Sequence, residues 1–99
     1  MARLIYSAQA LADLERLVDF LLDDEPVAAQ DTVESIIEAV SILNNHPLLG
    51  HGVESGLREL VISRGRTGYM ALYSYEEPFD EVLILAIRHQ REAGFVARP

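Results

Sequence analysis

The spacing of apolar side chains changes period once along this 99-residue chain, and the change limits what it can fold into. Before Pro47, Leu11, Leu14, Leu17, Val18, Leu21 and Leu22 recur at three- and four-residue intervals, with Asp13, Glu15, Arg16, Asp19 and Asp23 between them. That is the pattern of an amphipathic helix, read here as Ala8–Asp24. Val33, Ile36, Ile37, Val40 and Leu43 repeat it in a second helix. It opens at Pro26, where a missing amide proton costs nothing, and stops before His46-Pro47. The link between the two is short, so they form an antiparallel hairpin.

After Leu57 the period becomes two. Leu57–Arg64, Tyr69–Tyr75 and Glu81–Arg88 read as strands, joined by the hairpin-length turns Gly65–Gly68 and Glu76–Asp80. Arg3–Tyr6 is a further short strand that ends at Ser7, whose hydroxyl suits a helix N-cap. Pro47–Gly56, dense in Pro and Gly, reads as the connector from helices to sheet. The order β-α-α-β-β-β predicts one α+β domain over residues 1–99, a helical hairpin packed on a mainly antiparallel sheet.

Composition excludes several alternatives. With no Cys, neither disulfides nor a thiolate metal site can hold the chain together. His46 and His51 lack a third ligand at suitable spacing, and Asp19, Asp23, Asp24 and Glu25 lack the order of a calcium loop, so no metal or cofactor is expected. No segment approaches the roughly 20 apolar residues of a membrane span, and the start does not read as a signal peptide. A cytoplasmic protein without a membrane partner is the expectation.

Residues 1–57 hold ten acids and two Arg, whereas 58–99 hold six acids and six Arg, so the whole net charge of −8 belongs to the helical half. An acidic sum weighs against generic phosphate binding, but the neutral, Arg-bearing sheet half weakens that exclusion.

Alternation places Val82, Ile84 and Ala86 on one side of the last strand and Leu83, Leu85 and Ile87 on the other, so both faces are apolar. A helical hairpin covers only one. Either the tail from His89 to Pro99 or another chain must shield the second. Tyr69, Ala71, Tyr73 and Tyr75 share one side of the preceding strand, an aromatic row placed to line a groove.

Five segments carry a family resemblance: Ala10–Leu14, His46–Gly50, Leu57–Val61, Arg66–Tyr73 and Val82–Glu92. Together they resemble the RelE/ParE superfamily of plasmid-stabilisation toxins over nearly the whole chain, and the ending Arg88-His89-Gln90-Arg91-Glu92-Ala93-Gly94 resembles the ParE branch. The resemblance implies the toxin of a type II toxin-antitoxin pair, neutralised by a cognate antitoxin, with DNA bound only through the antitoxin complex. ParE-like members poison DNA gyrase by protein contact, and that is the function expected here. RelE-like members instead cleave mRNA on the ribosome, and a third class keeps the fold as a non-toxic binding module.

Residues weigh between these chemistries. RNA cleavage by the 2′-hydroxyl needs a base, an acid and cationic stabilisation of the phosphorane. The chain has no Lys, carries Met70 where the RelE pattern has an Arg, and offers Phe95 rather than a C-terminal Tyr. Guanidinium groups do not deprotonate and cannot serve as the base. The alternative nuclease reading therefore makes Glu59 the base and His89 the acid, with Arg66 or Arg91 stabilising charge. The simpler reading has Glu59 and Arg58 as solvent-facing strand residues. No catalytic residue is assigned under the gyrase reading. Target contacts are nominated as Arg64, Arg66, Arg88, His89, Arg91 and Phe95, because Arg and aromatics dominate interfaces. Antitoxin contacts are nominated as Tyr69, Tyr73, Leu83 and Leu85.

Overall fold

Ser7 turns the chain from strand into helix. Its hydroxyl accepts a hydrogen bond from the Ala10 amide at 3.0 Å, as an N-cap does, between β1 (Arg3–Tyr6) and α1 (Ala8–Leu22). The computed structural model describes residues 1–22, 26–64 and 67–89, apart from the side chains of 20–22, 26–30, 63–64 and 67. Helix α2 (Pro26–Val40) runs into a 3-10 turn over Ser41–Asn44. Ala10, Leu14 and Leu17 of α1 join Ile36 and Val40 of α2 in the core, as the two apolar stripes predict. Fully burying a Leu, Ile or Val side chain is worth about 1.5–3 kcal/mol relative to exposure.

Three longer strands follow: β3 (Arg58–Arg64), β4 (Thr67–Glu76) and β5 (Glu81–His89). They form successive antiparallel hairpins, and with the two-residue β2 (His51–Gly52) the sheet order is β1-β5-β4-β3-β2. The first strand lands beside the last: β1 runs parallel to β5, with Leu4 opposite Val82 and Tyr6 opposite Ile84. A parallel pair needs a long crossover, which the intervening helical hairpin and strands supply. The sheet is therefore mixed, with both helices on one face.

Three expectations need correction. The Pro47–Gly56 segment is not wholly a connector, because His51–Gly52 pair with Glu59 and Arg58 as a two-residue strand, β2. Strand β5 does not alternate throughout. A register shift leaves one extra residue at Leu85 and Ala86 between the Leu72–Ala86 and Tyr73–Ile84 pairs. This bulge resets the parity, so Val82, Ile84, Ile87 and His89 all face the helices and are buried. Ile87 thereby leaves the outer face on which simple alternation placed it. The aromatic row of β4 faces inward rather than towards a groove: Tyr69, Ala71 and Tyr73 are buried core residues. The side of the sheet away from the helices keeps half-buried Met70, Leu72, Leu83, Leu85 and Ala86, with Val61 58% exposed. The expectation that the tail covers this face concerns residues beyond His89, outside those described.

Candidate functional site

Strand β1 accompanies β5 only as far as Ile84, and past that point the β5 edge has no strand neighbour among the described residues. Ser7 and helix α1 supply the partners instead. The Ser7 hydroxyl donates to the Leu85 carbonyl at 3.2 Å, Asp13 accepts from the Ile87 amide at 2.9 Å, and Arg16 donates to the Ile87 carbonyl at 3.4 Å. Asp13 is 2% exposed and is also bound by the Gln9 amide, Arg16 and Arg88. Burial pushes its carboxyl up. The Ile87 amide, the Gln9 and Arg88 hydrogen bonds and the Arg88 charge outweigh that push and hold it below the ordinary range.

A second network fixes the loop from Pro47 to Gly50. The buried Tyr73 hydroxyl donates to the Pro47 carbonyl and accepts from the Gly50 amide, both at 2.8 Å. Arg58 donates to the Leu48 and Gly50 carbonyls at 3.2 and 2.6 Å. Gly50 sits so close to Tyr73 that a Cβ would lie 2.7 Å from the ring and 2.8 Å from the Glu59 carbonyl. Arg58 is thus a loop clamp rather than a solvent-facing residue.

The nominated residues separate. Glu59 sits on β3 between the buried-side positions Arg58 and Leu60, so it faces away from the helices, and its carboxylate lies 3.2 Å from His51 on β2. His89 faces the helices, is 3% exposed, and meets the Tyr69 ring edge-to-face at 4.9 Å. Glu59 is opposite Leu72 on β4, whereas His89 is opposite Tyr69, which is itself opposite Ile62. Two strand spacings and three residues of register put their backbones about 14 Å apart, on opposite faces. The expected Glu59–His89 pair is not assembled, because alternation on β3 turns one outward and the β5 bulge turns the other inward.

Arg88 is tied to Asp13, and the buried His89 ring offers no open contact surface. Of the other nominated target residues, Arg66, Arg91 and Phe95 lie outside the described residues, and Arg64 is described only in its backbone. Leu83 and Leu85 keep part of their surface open, but Tyr69 and Tyr73 support the sheet from beneath. Asp13 escaped the sequence reading, although its position was a signal. It lies three residues after Ala10 and four before Leu17, within the buried row of α1. Among the described residues no group of three or more His or acidic side chains could hold a metal, and no helix is long and apolar enough to cross a membrane.

Two helices on one face of a five-strand mixed sheet match the RelE/ParE-like fold. The profile of the ParE toxin of the type II toxin-antitoxin system, parDE, matches residues 4–94. The chain belongs to that ParE toxin family. It is 34% identical over 84 residues to toxin RelE3 of Caulobacter vibrioides, covering 85% of this chain and 89% of that one. Among solved structures, a chain of the chromosomal ParDE system from P. aeruginosa superposes with a TM-score of 0.73 at 27% identity, over 89% of this chain and 95% of that one. A chain of the intact E. coli RelBE toxin-antitoxin complex shares the fold, with a TM-score of 0.63 at 13% identity over 89% of this chain and 95% of that one.

Proposed function

We propose that this toxin inhibits DNA gyrase by protein contact, that a cognate antitoxin neutralises it, and that the pair serves plasmid stabilisation in the cytoplasm. The observation that carries the choice of target is the separation of Glu59 from His89. An RNA-cleaving site needs its base and acid to converge on one phosphate, and these two face opposite sides of the sheet. The absence of Lys supports the same reading, because every cationic side chain besides His is an Arg that cannot act as a base.

The antitoxin proposal rests on the outer sheet face and on the relatives, two of which were solved as ParDE and RelBE systems. Val61, Met70, Leu72, Leu83 and Leu85 offer an apolar surface that a partner segment would remove from water. Leu83 and Leu85 remain the proposed contacts, and Tyr69 and Tyr73 act indirectly by supporting β4 and β5. Arg64, Arg66, Arg91 and Phe95 remain the proposed target contacts, and DNA is reached only through the antitoxin complex.

Translating ribosomes test the choice between the two chemistries. Incubated with the purified chain, they are expected to leave mRNA intact by primer extension. Cuts in codon register that disappear in Glu59→Gln would overturn the proposal and return the chain to the nuclease class.

A further inference from the structure

The end of the sheet formed by the starts of β3 and β5 and the end of β4 exposes several large apolar side chains. The β4–β5 turn carries Phe79, which is 73% exposed, and the clamped loop nearby exposes Leu48 and Leu49 beside Val53. The pairs Arg58–Tyr73 and Glu76–Glu81, with the Tyr73 hydroxyl bonded into that loop, place these side chains at one end. It is the end opposite Arg64 and His89.

Neither projection is loose. Behind Phe79, the Asp80 amide donates to the Glu77 carbonyl at 3.0 Å and the Arg3 amide donates to the Asp80 carbonyl at 2.8 Å. The Tyr75 hydroxyl donates to the Asp80 carboxylate at 2.7 Å. Asp80 takes a left-handed backbone, φ 49°, which Asp tolerates better than most side chains. Leu48 and Leu49 are displayed by carbonyls that Tyr73 and Arg58 already hold. Side chains presented on a fixed backbone lose less entropy when they bind, so an exposed aromatic here is suited to anchor an interface.

The charge around this end identifies the partner's chemistry. Glu76 and Glu77 flank Phe79 and are exposed. The nearby cations are engaged within the fold, Arg3 with Glu81, the Met1 amino group with Asp80 and Arg58 with the loop carbonyls. The complementary surface is apolar at its centre and rimmed by Lys or Arg. A protein that holds DNA phosphates exposes such cations.

We propose that this end of the sheet, with Phe79 at its tip, is a second contact surface for the target, docking on a cationic and partly apolar region of gyrase. The inference rests on the gyrase reading and adds a surface that the Arg-bearing end does not supply.

Wild type, Phe79→Ser and the double variant Glu76→Gln/Glu77→Gln are compared for binding to purified gyrase at low and high salt. Circular dichroism and thermal midpoint serve as the folding control. Phe79→Ser is expected to weaken binding about tenfold with the midpoint unchanged. The double variant is expected to bind about threefold more weakly at low salt and to lose most of the wild type's salt dependence. Wild-type binding that neither change weakens overturns the second surface and leaves the gyrase reading standing. No wild-type binding at large molar excess overturns both.

Discussion

Asp13 of α1 accepts a hydrogen bond from the backbone amide of Ile87 on β5 at 2.9 Å, so a helix carboxylate serves a stretch of the β5 edge that has no strand neighbour among the described residues. Because the same carboxylate binds Arg88, the pair joins the first helix to the last described strand across 75 residues of sequence. Asp13→Ala would leave a buried amide without its acceptor and would remove a counter-charge from Arg88. The expected loss is about 3 kcal/mol of folding stability, measured by urea unfolding. A loss below about 0.5 kcal/mol would show that water replaces the carboxylate at little cost.

The same residue sets a pH dependence. Its carboxyl is held below the ordinary value in the folded chain, because the Ile87, Gln9 and Arg88 interactions together outweigh the opposing effect of burial. A depressed folded pKa contributes stability that is full above the unfolded value, about 3.9, and is lost as pH falls through the folded one. Thermal midpoints should therefore drop more steeply below about pH 4 in the wild type than in Asp13→Asn. Parallel acid limbs in the two proteins would contradict this.

The loop clamp predicts two further losses of different size. Tyr73→Phe removes a hydroxyl that both donates to Pro47 and accepts from Gly50, at an expected cost of about 1–2 kcal/mol. Gly50→Ala forces a methyl against the Tyr73 ring and the Glu59 carbonyl, and the carbonyl belongs to paired strand backbone that cannot swing away. Its expected cost is about 2–3 kcal/mol, the larger of the two by chemical denaturation.

On the outer sheet face, stability and binding should separate. Val61 is largely exposed, so Val61→Asp should change folding stability by less than about 0.5 kcal/mol. The same charge on the proposed antitoxin surface should weaken antitoxin binding about tenfold or more by calorimetry. Unchanged affinity would move the antitoxin to another face.

The helices and longer strands were legible because their periods differ, and Ser7 announced the first helix through its capping chemistry. The β5 bulge was not legible. Every residue from Val82 to Ile87 is apolar, so a parity reset leaves no polar residue on the wrong side to reveal it. The Tyr69–Tyr73 row was correctly placed on one side, but alternation alone does not say which side meets the helices. Strand β2 spans two residues, too few to show any period. At the candidate site, Glu59 and His89 were sound as residue types, but the face of His89 depended on that bulge. Arg58 was visible as a charge, yet its acceptors are loop carbonyls whose direction no local pattern encodes.

The most direct test of the gyrase proposal is supercoiling of relaxed plasmid by purified gyrase and ATP with increasing amounts of the chain. Supercoiling is expected to stop, or cleaved DNA to accumulate, and prior addition of the cognate antitoxin is expected to restore the reaction. Undiminished supercoiling at large molar excess of folded protein would contradict the proposal.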